Sequence, residues 1–204
     1  PCVAIDAKCS YPAVLIDRPA GVAEATRYLI SLGREEIVYV GPQGSTSRIA
    51  GFELAMREAD REVRLFDPGA QRSRTGTVDA LLDAYPAVDA IQAYSDEWAL
   101  QILAGLHERG VRVPDDVALI GFDDRWAAAY SWPALTTVAQ PGVTIGSAVA
   151  ELLIGDLRER LESLVEEESA PAVQVPESGT SAVRQLSVEV TTSIPTRLVI
   201  RESA

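Results

Sequence analysis

Short apolar runs alternate with amphipathic segments along most of the chain. Apolar and β-branched residues predict strands at residues 1–6, 13–17, 36–41, 63–66, 88–94, 117–122, 135–138 and 196–201. Between them, apolar residues recur at the spacing of a helix face over 21–32, from about Arg48, over 75–85, over 97–109 and over 143–164. Repeated β-then-α units of this size predict an α/β fold, with parallel sheets, right-handed crossovers and helices on both faces.

Several of the predicted strands end in carboxylates. Asp6, Asp96 and Asp123 each follow a buried strand, and Asp124 comes directly after Asp123. Because open α/β sheets place ligand-binding groups at the carboxyl ends of their strands, these acids are candidate ligand contacts. The alternative is a set of solvated residues that merely end strands, a common use of Asp.

The predicted helix 97–109 carries more apolar residues than one contact with a sheet needs. Its expected buried stripe contains Ala99, Ile102, Leu103 and Leu106. Trp98 and Leu100 lie off that stripe. They predict either a dimer contact with a second copy of the chain or a helix buried on most sides by its own chain. For Trp126 and Trp132, internal packing competes with exposure at a cleft or at the dimer contact.

Composition and charge limit the classes of function. The chain has 204 residues, of which 47% are hydrophobic, so it can bury a substantial core. With 18 basic and 30 acidic residues, its formal net charge is −12. A phosphate backbone is repelled by such a surface, so we expect no DNA contact within these residues.

Cysteine and histidine are scarce. Cys2 and Cys9 are accompanied by one histidine, His107, far downstream, which supports neither a metal site nor a disulfide framework. We therefore expect no metal or cofactor and a reducing, cytoplasmic location. No apolar run approaches the roughly 20 residues that span a bilayer. The first residue is Pro1, so we also expect that the start of a longer protein is missing.

Five sequence blocks follow one another over nearly the whole chain. They are YLISLGREEIVYVGP, RIAGF, VDAIQAYSDEWALQILAGLHERGVRVPDDVALIGFDD, PALTTVAQP and TRLVIRES. In this order and spacing they resemble the effector-binding core of the lactose-repressor/galactose-repressor family of bacterial transcription regulators. The resemblance implies a periplasmic-binding-protein-like fold with two doubly wound parallel-sheet lobes, crossover strands between them and a small molecule in the cleft.

The resemblance also implies a division of the chain. Residues 1–17 and 142–165 correspond to part of the N-terminal lobe, whose opening strands are missing, while 18–141 and 188–204 correspond to the C-terminal lobe. The segment 166–187 is acidic and rich in Ser, Pro and Ala, which predicts a mobile insertion. A helix-turn-helix and hinge helix that bind operator DNA normally precede this core.

The resemblance assigns effector contacts residue by residue. Arg48, in RIAGF, matches an arginine that grips the effector, and its rigid fork of donors suits paired hydroxyls or a carboxylate. An arginine that snorkels or caps its helix is the alternative. Asp123 matches an acid that accepts bonds from hydroxyls, whereas Asp124 is expected to face local turn bonds. Further predicted contacts are Asp6, Ser95, Asp96, Gln140 at the hinge and Gln71.

The chain departs from the family pattern at several of these places. Ser95 stands where many members have Asn, and Arg18 follows Asp17 where Asn is frequent. The loop near Gln71 reads AQRSR and lacks the aromatic residue on which a sugar ring stacks. With Arg48 and either Arg72 or Arg74, a smaller or more charged ligand becomes plausible.

The predicted function is to sense a metabolite without transforming it. A sugar, sugar phosphate or nucleoside-like effector would shift a conformational equilibrium of a homodimer, and operator DNA would be bound only through the missing N-terminal domain. A solute-binding protein of a sugar transport system is the alternative and would need an export signal. An enzyme is disfavoured because no Gly-x-Ser-x-Gly elbow or P-loop lysine is present and His107 has no partner motif.

Overall fold

The computed structural model describes residues 2–6, 11–69, 74–169 and 191–204. Contacts divide the chain into two compact units, Pro1–Ile16 with Pro141–Ile194, and Asp17–Gln140 with Pro195–Ala204. The second unit contains most of the elements: α1 (Arg18–Ser31), β3 (Ile37–Val40), α2 (Thr46–Glu58), β4 (Arg64–Phe66), α3 (Arg74–Ala84), β5 (Ala90–Ala93), α4 (Asp96–Glu108), β6 (Ala118–Asp123), a short 3-10 helix (Trp126–Tyr130), β7 (Thr136–Ala139) and β9 (Arg197–Val199).

The second unit is built on a six-stranded sheet with the strand order β4-β3-β5-β6-β7-β9. The first five strands are mutually parallel. β9 pairs with β7 in the antiparallel direction and forms one edge of the sheet. The predicted α/β class with a parallel sheet is therefore confirmed, with the closing strand as an antiparallel exception.

Helices cover both faces of this sheet, as the alternation of side chains requires. Along β3, Ile37 and Tyr39 enter one apolar cluster while Val38 and Val40 enter the other. The first cluster is completed by α1 and α2, and the second by α3 and α4. A strand buried on both faces reads as a continuous apolar run, which is why the sequence identified these strands.

Trp98 lies inside the core rather than on a free surface. Only 8% of Trp98 is exposed, and its ring packs edge-on against that of Tyr94 at a centroid distance of 6.0 Å. Leu100 is partly buried against the same cluster. The chain itself buries most of the apolar surplus on α4, which favours the second of the two predicted alternatives. The dimer contact at these two residues stays a prediction.

The first unit contains a three-stranded sheet with the order β1-β2-β8 and one long helix. Its elements are β1 (Ala4–Ile5), β2 (Ala13–Asp17), α5 (Gly142–Ser169) and β8 (Thr191–Pro195). α5 continues to Ser169, so the first residues of the predicted insertion 166–187 are helical, and the rest of it lies outside the described residues. The assignment of these segments to an N-terminal lobe stays a prediction.

None of the described helices combines the length and the apolar character that crossing a bilayer requires.

The burial of Trp98 predicts a large stability effect. Trp98→Ala should lower the free energy of unfolding by about 3–5 kcal/mol, because it empties a packed core position. The control substitution Leu54→Ala, at a residue of α2 that is 49% exposed, should change it by less than about 1 kcal/mol. Urea denaturation of both variants is the measurement. Equal effects of the two substitutions would contradict the packing described above.

Candidate functional site

The carboxyl ends of three neighbouring strands bring polar side chains together at one edge of the six-stranded sheet. Asp96 opens α4 just after β5, Asp123 ends β6, and Gln140 follows β7. Arg48 reaches the same edge from the first turn of α2, which follows β3. Because the strands are parallel, all four residues lie at the same edge of the sheet. Ligand sites in open α/β sheets are found at this edge.

Arg48 and Asp123 form the centre of the site. Arg48 Nη2 lies 3.4 Å from Asp123 Oδ1, and Gln140 Nε2 donates a hydrogen bond to the same oxygen. About a quarter of the Asp123 side chain is exposed (27%), whereas the Arg48 side chain is only 8% exposed. The sequence prediction named all three residues, and the structure brings them into direct contact.

Two aromatic rings hold the Arg48 guanidinium. Its Cζ lies 4.2 Å from the ring centroid of Tyr94 and 4.4 Å from that of Phe122, both within the range of cation–π attraction. Arg48 Nε is buried and has no hydrogen-bond partner among the described residues. The guanidinium is thus fixed in orientation, with one donor still to be satisfied.

The backbone after β6 is unusual. Asp123 has φ 111° and Asp124 has φ 50°, a region that residues with a Cβ rarely adopt. The two carboxylates have different partners, since Asp124 Oδ1 accepts a hydrogen bond from Arg201 Nη2 at 2.6 Å. The Asp124 carboxylate therefore faces away from Arg48, but its partner is 77 residues along the chain, so the predicted local turn bonding is wrong for this carboxylate.

Asp96 is fully buried beneath the site and is hydrogen-bonded to two neighbouring segments. Thr137 Oγ1 donates to its Oδ1, and the backbone N–H of Arg125 donates to its Oδ2 at 2.6 Å. Gly121 makes room for it, because a Cβ at that position would lie 2.2 Å from Asp96 Oδ1. Burial raises the pKa of Asp96 to about 6, against the opposing effect of these hydrogen bonds.

This environment changes the interpretation of Asp96 and Ser95. Both oxygens of the Asp96 carboxylate are used within the fold, so the structure supports a positioning role instead of the predicted contact with an effector. Ser95 is buried as the N-cap of α4, where its hydroxyl accepts the Trp98 N–H at 3.4 Å. Its role is likewise local.

Two other predicted contacts are not brought into this cluster. Asp6 belongs to the first unit, where it follows β1 with φ 58°, so its proximity to Arg48 stays a prediction. Gln71 lies outside the described residues, as does Arg72. Within the described ranges, no group of three or more His, Cys, Asp or Glu side chains is arranged to hold a metal ion.

The sequence prediction missed several residues that shape the site. Tyr94 and Phe122 support Arg48, and Arg201 neutralises Asp124. Arg18 was noted as a departure from a family pattern but was not included in the site. Burial and the nearby Arg48 guanidinium lower the pKa of Arg18, while Asp123 opposes that shift. The sequence could have indicated Arg18 as a site residue, because it begins a helix directly after Asp17, the acid that ends a strand.

The class of protein follows from the fold and from this edge of the sheet. Residues 26–204 match the family described as periplasmic binding protein-like domain, which covers most of the chain. The chain belongs to this family. The predicted family resemblance and fold are thereby confirmed.

The relatives of the chain are bacterial transcription regulators. It is 35% identical over 147 residues to the HTH-type transcriptional regulator CelR of Thermobifida fusca, covering 68% of this chain and 43% of the relative. It is 37% identical over 142 residues to the HTH-type transcriptional regulator DegA of Bacillus subtilis, covering 66% and 42% of the two chains. The chain thus spans about half the length, or slightly less, of the curated relatives that it matches.

Solved structures give the same result. A transcriptional regulator CelR–cellobiose complex superposes with a TM-score of 0.70 at 30% identity, covering 95% of this chain and 54% of the other. A LacI family transcriptional regulator from Enterococcus faecium with bound ribose has a TM-score of 0.75 at 26% identity, covering 98% and 69%. Both of these structural neighbours are transcription regulators, and the second is described as a member of the LacI family.

The raised pKa of Asp96 predicts a pH-dependent stability. A carboxyl whose pKa is higher in the folded than in the unfolded state stabilises the fold below about pH 4, and this contribution is lost as the pH rises through about 6. Between pH 4 and pH 7, Asp96→Asn should therefore gain stability relative to the parent, by at most about 3 kcal/mol. Urea denaturation across this range is the measurement.

The control is Asp83→Asn, which removes an exposed acid from α3. Its stability difference from the parent should vary much less over the same pH range. If the Asp96→Asn difference were equally flat, the burial of an ionisable Asp96 would be refuted.

Proposed function

We propose that the chain is the effector-sensing domain of a bacterial transcription regulator and that a small, sugar-like metabolite binds at the Arg48–Asp123 site. The observation that carries the proposal is the orientation of Arg48, a buried guanidinium held by two rings beside a partly exposed carboxylate. A fork of donors next to an acceptor matches the paired hydroxyls of a sugar. Gln140 adds an amide to the same group.

Ligands of related regulators support a sugar. The CelR structure contains cellobiose, the Enterococcus faecium regulator contains ribose, and a LacI family regulator from Arthrobacter contains lactose at 25% identity. These ligands belong to those proteins. For this chain they favour a polyhydroxylated effector over the nucleoside-like alternative.

The proposed mechanism is binding without chemistry on the effector. The curated relatives are regulators and not enzymes. In the described part of the site, the charged side chains are engaged as ion pairs, Arg48 with Asp123 and Arg201 with Asp124, rather than as a nucleophile and a base. The effector would alter affinity for DNA through its different affinity for two conformational states, and the coupling would be reciprocal.

DNA binding would require a segment other than this chain. The formal charge of −12 opposes a phosphate backbone, and the relatives carry a helix-turn-helix according to their names. The regulator would act in the cytoplasm, where operator DNA is accessible. A solute-binding protein of a transport system shares the fold and stays the alternative, but the relatives favour the regulator.

We also propose a homodimer that uses Trp126 and Trp132, for which the sequence left a dimer contact open as one alternative. Trp126, Tyr130 and Trp132 are 79%, 82% and 87% exposed, and we call them the aromatic face. At roughly 150–250 Å² each, they expose on the order of 500 Å² of mostly apolar surface, a large part of the about 800 Å² that each partner of a stable dimer buries.

A cavity beside the aromatic face could receive side chains of a second copy of the chain. A cavity of about 350 Å³ is lined by Trp132 together with Leu103, His107 and Val111. In a two-fold dimer both copies use the same patch, so the patch must be complementary to itself. Here the exposed rings of one copy would enter the cavity of the other. His107, which lines the cavity, lies 11 residues after Asp96 on α4, about 16 Å along the helix, so the cavity is separate from the effector site.

The proposed effector site predicts the effect of Arg48→Ala. In a thermal-shift screen of sugars, sugar phosphates and nucleosides, at least one compound should stabilise the parent chain. Arg48→Ala should bind that compound about tenfold to a hundredfold more weakly, because charge-assisted hydrogen bonds contribute about 1.5–3 kcal/mol. Arg57→Ala, on the exposed side of the same helix, is the control and should respond like the parent. An unchanged response of Arg48→Ala would exclude this site.

The aromatic face predicts the oligomeric state. The parent should sediment as a dimer at micromolar concentration, and the double substitution Trp126→Ser and Trp132→Ser should yield a folded monomer, since both side chains are exposed in the single chain. Leu54→Ser removes an exposed apolar residue from α2 and should leave the dimer intact. A dimer that persists in the double variant would dismiss this face.

A further inference from the structure

We infer that the effector carries an anionic group, a carboxylate or a phosphate, which binds between Arg18 and Arg48. The inference rests on the proposed function and deepens it. Besides Arg48, Arg18 supplies a second guanidinium near this site. Three features of the structure support an anion there: the approach of two helices, the pairing of the surrounding charges and the start of α2.

A close helix contact places Arg18 beside Arg48. A Cβ on Gly51 would lie only 2.2 Å from the carbonyl oxygen of Pro19, so the first turn of α1 touches the backbone of α2 there. Arg18 precedes Pro19, and Arg48 lies one helical turn before Gly51. Because a Cβ at Gly51 would collide with the Pro19 backbone, glycine allows the two helices to approach closely at the turns that carry Arg18 and Arg48.

Three carboxylates at this edge have partners among the described residues. Asp123 Oδ1 accepts hydrogen bonds from Arg48 and Gln140, and Asp124 is paired with Arg201. Asp96 is fully buried and is bonded within the fold. Arg48 Nε is buried without a partner among the described residues, although guanidinium donors are seldom left unsatisfied.

The electrostatics of Arg18 agree with this arrangement. Its pKa is lowered by burial first and by the like charge of Arg48 second, while the Asp123 carboxylate opposes the shift. Two adjacent guanidinium groups repel one another, and an anion placed between them removes the repulsion while accepting hydrogen bonds from both.

The start of α2 is also suited to an anion. Its first turn contains no acidic residue, and the Ser45 side chain does not cap it, because that hydroxyl donates to the Pro42 carbonyl and bonds to the Tyr39 hydroxyl. The start of α4 is different, since Asp96 and Glu97 already supply negative charge there. The positive end of the α2 dipole therefore adds to the two arginines.

Matched ligand pairs test the inference on the parent chain. D-glucose would be compared with D-gluconate, D-glucuronate and D-glucose 6-phosphate, and D-ribose with D-ribonate and D-ribose 5-phosphate, by thermal shift and titration calorimetry. At least one anionic compound should bind about tenfold or more tightly than its neutral counterpart. The carboxylate and phosphate arms distinguish the two sources of negative charge.

Arg18→Gln should remove this preference. It should weaken the binding of the anionic compound about tenfold to a hundredfold and leave the affinity for the neutral sugar nearly unchanged. Arg27→Gln is the control, because it removes the same charge from the exposed side of α1. Circular dichroism would verify that both variants are folded.

Two outcomes would overturn the inference, and they differ in what else they affect. If a neutral sugar bound as tightly as its anionic counterparts, with Arg48 required but Arg18→Gln without effect, the anionic group would be refuted and the proposed function would stand. If no compound bound to the parent chain in a manner that depends on Arg48, the proposed function would fail together with the inference.

Discussion

The second unit depends on one buried carboxylate at the carboxyl edge of its sheet. Asp96 connects the start of α4 to β7 through Thr137 and to the turn after β6 through the backbone of Arg125. Gly121 is the condition for this arrangement, since any side chain there would occupy the space of the carboxylate. Burial disfavours the charged form, as the raised pKa shows, so the hydrogen bonds that tie these elements together also compensate for the desolvation of the acid.

The more exposed carboxylates of the site belong to the turn that Asp96 stabilises. The turn that Asp96 holds contains Asp123 and Asp124 in strained backbone conformations, and it directs them to different arginines. Arg48 is fixed by Tyr94 and Phe122 before any ligand arrives. A guanidinium that is already oriented loses little rotamer freedom on binding, so more of its interaction energy contributes to affinity.

The order of strands and helices could be predicted because it depends on local patterns, and the family resemblance pointed to Arg48, Asp123 and Gln140, which the structure brings together. The roles of other single residues could not be predicted. Asp96 and Asp123 both follow buried strands, yet only packing makes one a structural acid and the other a partly exposed one. Trp98 and Trp126 show the same limit, since one is in the core and the other is on the surface. Arg18 was recognised as a substitution, but its proximity to Arg48 depends on the approach of two helices at Gly51, which periodicity does not report.

The last residues of the chain have a consequence for how the second unit assembles. Ser203 is fully buried, its hydroxyl donates to the Leu119 carbonyl, and it accepts the N–H of Thr136. These bonds and the β9 strand complete an edge of a sheet whose other strands all precede Gln140, while residues 141–194 belong to the first unit. During translation, the β7 edge must therefore stay open until the ribosome has also produced the intervening segment, and the sheet closes only after synthesis has passed Ser203.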